Sequence, residues 1–173
     1  MKDYVVIDIE TTGLNPRYDE IIELAAVRFS DFRADKSFVS LIKPTIPVNP
    51  GASRVNGITD AMLASCPGIE KVFPDFMDFI GDSKVLVGHN IIGFDLKFLC
   101  AASKHFDPRK FKIYDTMIMA RRILRPNEVR NYKLGTLCDH YNIKHRNAHR
   151  AEGDCVATGE LFAALVNRAG MER

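Results

Sequence analysis

A chain of 173 residues, 46% hydrophobic and 27% charged with a net charge of +2, fits one globular domain able to bury a core without a disulfide or structural metal. The four cysteines, Cys66, Cys100, Cys138 and Cys155, are widely spaced and form no Cys-x-x-Cys pair, which argues against a disulfide framework. No apolar run approaches the ~18 residues of a membrane span, and no basic leader precedes the first strand-like segment, so a soluble cytoplasmic protein without a membrane partner is expected.

Tyr4–Ile9 is a β-rich apolar run, followed by a turn at Gly13-Leu14-Asn15-Pro16 and a second strand over Ile21–Phe29. Ser37–Ile42 predicts a third strand, and Pro44, Pro47, Pro50 and Gly51 mark a loop. Helical spacing follows at Thr59–Ser65 and Ile69–Ile80, a short buried strand at Lys84–Gly88, and a helix from about Phe94. Phe111–Tyr114 predicts a last strand, and Thr116–Leu124, Leu134–Tyr141 and Ala151–Ala169 predict helices. Strands first, then alternating strand and helix, give an α/β fold with one mixed sheet flanked by helices.

Three segments carry candidate chemistry. In Asp8-Ile9-Glu10-Thr11-Thr12-Gly13 the two acids lie two residues apart, so in a strand they share a face. Like charges placed there repel and lose hydration, and a divalent cation with a preference for oxygen ligands offsets both costs. The bland alternative is a strand that ends at Ile7 and leaves both acids in solvent. In Gly88-His89-Asn90-Ile91-Ile92-Gly93-Phe94-Asp95, Asp95 falls in the first turn of a helix, where the positive end of the dipole favours a carboxylate. In His149-Arg150-Ala151-Glu152-Gly153-Asp154, the five-residue separation turns the chain about 140° past a full circle, so His149 and Asp154 converge only if His149 precedes the helix that carries Asp154. An imidazole with an ordinary pKa near ~6.5 suits a general base.

His145-x₃-His149, with His140 and Cys138 nearby, has the spacing of a zinc pair but lacks a second paired ligand set. Asp115-Thr116 reads as a helix cap and Glu152 as solvent-facing. Charge is uneven: residues 1–100 hold 10 Lys/Arg against 14 Asp/Glu, and residues 101–173 hold 14 against 8. The excess between Met119 and Arg150 matches either a solvated surface or the footprint of a phosphate backbone.

Taken in order, Asp-x-Glu-Thr-Thr-Gly, Asn-x₃-Phe-Asp and His-x₄-Asp resemble the motifs of the DEDDh 3′→5′ exonucleases, which include the proofreading subunit of bacterial DNA polymerase III and the exonuclease domain of the Gram-positive replicative polymerase. Asp8–Leu14, Asp19–Val27, Val55–Asp60, Gly88–Leu99 and His149–Asp154 all follow that pattern, nearly the whole chain. The resemblance implies a ribonuclease-H-like mixed five-stranded sheet, three antiparallel strands first, as a single exonuclease domain over residues 1–173. It implies two divalent cations, Mg²⁺ or Mn²⁺, with Asp8, Glu10 and Asp154 at the first, Asp8 and Asp95 at the second, and His149 as base. Thr11, Leu14, His89, Asn90 and Phe94 sit where the family grips terminal nucleotides. Two features depart from the pattern: three residues separate Asn90 from Phe94 where many relatives have two, and Cys155 replaces a common Ala.

The expected activity is two-metal hydrolysis of the terminal phosphodiester of a single-stranded 3′ end, DNA or RNA, releasing nucleoside 5′-monophosphates in proofreading or repair. A DNA polymerase is an admissible partner, although the chain ends soon after the last helix without the family's C-terminal tether. The competing readings are a module that grips nucleic-acid ends without cutting and an accessory protein that uses the basic surface.

Overall fold

A computed structural model describes residues 3–145 and 149–170. The strands are β1 (Tyr4–Thr11), β2 (Ile21–Ser30), β3 (Arg33–Leu41), β4 (Val85–Gly88) and β5 (Lys112–Asp115). They form one sheet in the order β3-β2-β1-β4-β5, antiparallel from β1 to β3 and parallel from β1 through β4 to β5. The helices are α1 (Pro50–Asn56), α2 (Asp60–Leu63), α3 (Ile69–Ile80), α4 (Asp95–Ala102), α5 (Thr116–Ile123), α6 (Leu134–Tyr141) and α7 (Ala151–Arg168). The mixed five-stranded sheet with three antiparallel strands first is the fold expected from the resemblance. None of these helices is long and apolar enough to cross a membrane.

Helices cover both faces of the sheet, which is why β1 begins as an unbroken apolar run instead of an alternating one. Val5, Ile7 and Ile9 pack with Leu24, Ala26 and Leu86 against α3 and α4, through Phe73, Phe76, Ile80, Phe98 and Leu99. Tyr4 and Val6 pack with Ala25, Val27, Phe29 and Val87 on the other face, against Cys155, Phe162 and Val166 of α7. Asp8 and Glu10 continue the series of Tyr4 and Val6, so they emerge on the face that α7 covers.

The long helix approaches the sheet closely at Gly159. A Cβ there would fall 2.1 Å from the Phe29 ring, and the Tyr4 hydroxyl donates to the Gly159 carbonyl at 3.0 Å. This contact sets the height of α7 above β1 and, about two turns away, the position of its first turn.

The strand and helix expectations hold with three differences. The third strand starts four residues earlier than predicted, at Arg33, because Asp31 and Phe32 both take positive φ (49° and 63°) and close a two-residue hairpin. Asp-Phe is a poor match to the Asn-Gly signature of such turns, so the hairpin left no sequence mark. The helix predicted at Thr59–Ser65 is only Asp60–Leu63. The proline-rich loop contains a helix, α1, whose Asn49 side chain accepts from the Gly51 amide and whose first turn begins with Pro50. An Asn cap followed by proline at the first helical position is a start signal that was readable in the sequence.

Candidate active site

The strand β1 does not stop at Ile7. It runs to Thr11, with Asp8 paired to Ala25 and Glu10 to Glu23, and its register shifts only after Glu10. Both acids therefore project from regular strand, and the irregularity beyond them lets the chain leave the sheet. Asp154 lies in the first turn of α7, directly above this face. One carboxylate oxygen each from Asp8, Glu10 and Asp154 lie within 4.8 Å of one another, and all three side chains are half-buried.

Asp95 joins from the opposite face of the sheet. It is buried in the first turn of α4 and its carboxylate accepts the backbone N–H of Ile9 and its own N–H. Burial pushes its pKa up to about 8, and the charges of Asp115 and Glu10 add to this. Burial likewise raises Asp8 well above the carboxylate range, reinforced by Asp95, Asp154 and Glu10 in turn. Glu10 is raised to about 7, mainly by burial and by Asp154, against a lowering hydrogen bond from Asn56. The acids converging from β1, α4 and α7 thus raise the proton affinity of Asp8, Glu10 and Asp95, the response of like charges that share a poorly hydrated recess.

The nearby cation offsets only part of this, through Glu10. The Arg150 guanidinium is engaged by Glu23, with Nε 3.1 Å from both carboxylate oxygens and one terminal nitrogen 2.5 Å from Oε1. Glu23 is buried and also accepts the Ala151 N–H at 3.0 Å, the first amide of α7. Glu23 was not among the residues singled out in the sequence. A lone acid inside an otherwise apolar strand was its signal, and it ties the start of α7 to β2.

The predicted histidine behaves in two ways. His149 precedes α7, as convergence requires, in a left-handed backbone (φ 66°), and its N–H donates to Asp154 Oδ1 at 3.3 Å. Its residue is exposed. His145 Nε2 lies 2.5 Å from the same oxygen. The zinc spacing is not used as a pair: among the described residues the acidic triad is the group able to hold a metal, and it contains no histidine or cysteine. His140 instead meets Glu128 at 3.1 Å.

A cleft of about 520 Å³ opens beside Glu10, lined by Thr11, Leu14, Asn49, Val55, Asn56 and Phe94 among others. Three of the five predicted nucleotide-gripping residues line it. Leu14 stands 85% exposed at its edge, an unusual place for a leucine unless something packs on it. Thr11 is buried and its hydroxyl donates to the Gly13 carbonyl. Phe94 packs on Phe98 with ring centroids 4.8 Å apart. The remaining two lie elsewhere: His89 Nδ1 is 2.9 Å from the Thr116 hydroxyl, and the Asn90 N–H donates to Asp115. Asp115 caps α5 as predicted, taking the Met117 and Ile118 amides, and it also takes the Ile92 N–H. It thereby holds the loop that leads to Asp95.

The RNase_T exonuclease family model matches residues 5–162. The chain belongs to this exonuclease family. The epsilon subunit of DNA polymerase III from Aquifex aeolicus is 33% identical over 165 residues, covering 94% of this chain and 80% of that protein. The PolC-type DNA polymerase III of Bacillus subtilis is 38% identical over 169 residues, but the chain spans only 12% of its length. Exonuclease X, solved with 5′-overhanging duplex DNA, superposes with a TM-score of 0.80 at 30% identity, covering 96% of this chain and 93% of that one. Escherichia coli exonuclease I with a dT13 oligonucleotide has a TM-score of 0.84 at 21% identity, over 99% of this chain and 42% of that one, a likeness of fold.

The donor set fits the divalent cations expected of such an enzyme. Clustered carboxylate oxygens are the ligands that Mg²⁺ and Mn²⁺ favour, and acids whose protons are held this tightly are acids that need positive charge.

Proposed function

We propose that this chain acts as one domain that removes nucleoside 5′-monophosphates from single-stranded DNA 3′ ends, in proofreading or repair. The observation that carries the reading is the convergence of Asp8, Glu10 and Asp154 within 4.8 Å, beside a cleft edged by an exposed leucine. Asp8, Glu10 and Asp154 would hold one divalent cation, and Asp95 beside Asp8 would support a second. Bound there, Mg²⁺ or Mn²⁺ neutralises charge on the scissile phosphate and makes water more acidic.

The protein's own part is positioning and proton transfer. Leu14 and Phe94 offer apolar surfaces to the terminal bases, and bases of any sequence have a face to pack on them. Glu23 and Arg150 hold α7 so that Asp154 stays over Asp8. His149 takes the proton of the attacking water, the water oxygen bonds phosphorus as the bond to the departing 3′-oxygen breaks, and that oxygen takes up a proton from solvent to become the new 3′-hydroxyl of the shortened strand. His149 is exposed on the loop before α7, and its backbone N–H lies 3.3 Å from Asp154 Oδ1.

The test is digestion of a 5′-labelled single strand with Mg²⁺ or Mn²⁺ by wild type and by Asp8→Ala and His149→Ala. A ladder shortening from the 3′ end, lost in both variants, is expected. Undiminished digestion by either variant overturns the assignment, and tight binding without mononucleotide release supports an end-binding module. The epsilon relative makes a polymerase the partner to try by co-purification, and matched DNA and RNA strands decide the sugar.

A further inference from the structure

The catalytic end of this molecule presents a problem to its own substrate. Asp8, Glu10, Asp95 and Asp154 meet there, yet a nucleic-acid strand brings a phosphate with every nucleotide. A strand held by repelled phosphates needs cations at the rim of the site.

Such cations are present on one stretch of chain. Arg121, Arg122, Arg125, Arg130 and Lys133 fall within thirteen residues that include a single acid, Glu128. All five cations are exposed. Glu128 is already committed: Arg168 takes both of its oxygens at 2.6 and 2.9 Å, His140 lies 3.1 Å away, and the Arg125 backbone N–H donates to it at 2.9 Å. None of the five cationic side chains forms an ion pair among the described residues. Two are nonetheless held in place without losing their charge to a carboxylate. The Arg121 guanidinium lies over the Tyr132 ring, 5.6 Å from its centroid, and Arg130 Nε approaches the Thr136 hydroxyl at 3.5 Å.

The segment also borders the acids. The His89 ring hydrogen-bonds the Tyr132 backbone carbonyl, and it lies close enough to Asp154 to feel its charge. Two residues after Lys133, a Cβ on Gly135 would be 4.0 Å from Nδ1 of His145, whose other nitrogen meets Asp154. The chain from Tyr132 to Gly135 therefore runs beside His89 and His145, both near Asp154. No residue of this segment lines the Leu14–Phe94 cleft.

We infer that Lys133, Arg130 and Arg125 form a phosphate track that starts beside Asp154 and leads away from it, towards the end of α7 where Arg168 holds Glu128. It holds the strand 5′ of the terminal nucleotide while the cleft holds the terminal bases. This rests on the proposed exonuclease reading and adds where the rest of the strand lies. The ligand is a phosphodiester backbone, read by charge and not by sequence.

The test compares wild type with the triple variant Arg125→Gln/Arg130→Gln/Lys133→Gln and with Arg125→Lys/Arg130→Lys, which keeps the charge. Fluorescence anisotropy with a labelled long single strand in Ca²⁺ measures binding, and turnover of a dinucleotide measures the acids alone. The triple variant is expected to bind the long strand about tenfold more weakly at low salt. Its log-affinity should fall less steeply with log salt by about 2, since each lost phosphate contact removes about 0.7 from the single-strand slope. Dinucleotide turnover should stay at the wild-type level, and the lysine variant should bind like wild type. Unchanged affinity and salt slope in the triple variant overturn the track. Weakened binding by the triple variant, alongside a wild type that never turns over either substrate, leaves the track standing and defeats the exonuclease reading instead.

Discussion

Glu23 stands directly across from Glu10 in the β1–β2 ladder, and the two carboxylates have opposite fates. Like charges in that position repel. Here Arg150 and the Ala151 amide take Glu23, while Glu10 turns to Asn56 and Asp154. Glu23→Ala leaves Arg150 without its partner and the first turn of α7 without its anchor. We expect a loss of about 2–4 kcal/mol, the cost of opening a buried pair with one exposed member. Asp154 should also sit less well, so metal affinity falls further than stability explains. Chemical denaturation and Mn²⁺ titration of the same sample check both, and unchanged metal affinity would reduce Glu23 to a purely structural residue.

Without metal, the acids should make stability fall as pH rises. Asp8, Glu10 and Asp95 bind protons more tightly in the folded protein, at about 7 for Glu10 and about 8 for Asp95, than in an unfolded chain, where carboxyls titrate near ~4. Folding is therefore favoured below ~4, and this contribution is lost as pH climbs through about 8. A cation competes with those protons, so the rise in Tm on adding Mn²⁺ should grow between about pH 5 and pH 8. A metal-induced Tm gain that is flat across that range would mean the cluster does not carry the cation.

The two histidines at Asp154 separate by variant kinetics. His149→Ala should lower kcat by about 10²–10⁴-fold, the usual share of a general base. His145→Ala removes a ring that competes for Asp154 Oδ1, so it should keep kcat within a few-fold and bind Mn²⁺ no more weakly than wild type. The reverse pattern would make His145 the base and His149 a loop residue.

Leu14→Ala and Phe94→Ala should act on binding. A base packed on an apolar or aromatic surface contributes about 1–3 kcal/mol, so KM should rise roughly 5–150-fold with kcat nearly unchanged. Fluorescence binding to a 2-aminopurine-ended strand reports the same loss directly. A fall in kcat at constant KM would place these side chains in the chemistry instead of the grip.

The sequence was most legible where one element decides the outcome. The apolar run from Tyr4 and the two-residue spacing of Asp8 and Glu10 suffice to put both acids on one face, and the helix starts at Asp95 and Ala151 follow from local pattern. What stayed hidden depends on contacts between distant segments. Glu23 meets Arg150 across 127 residues, so a lone acid in an apolar strand marks it as unusual without naming its partner. The 85% exposure of Leu14 is set by how α1 and the turn before Asp19 leave the cleft open. The helix α1 itself was concealed by reading three prolines as loop punctuation, although Asn49-Pro50 is how many helices begin. His145 drew notice only as half of a zinc spacing, because its partner Asp154 lies across a loop and on a helix.

The way α7 rests on β1 has a consequence for how this gene can change. Residues of β1 alternate between two buried layers, one apolar throughout and one that ends in acid. Deleting or inserting a single codon between Val6 and Asp8 would swing both carboxylates into the phenylalanine-rich layer under α3 and α4, away from Asp154 and at a heavy desolvation cost. Adding two codons would restore the face but slide the pair about 6.6 Å along the strand, out of reach of Asp154. Point substitutions in this strand can be absorbed by repacking, whereas its length is close to immutable.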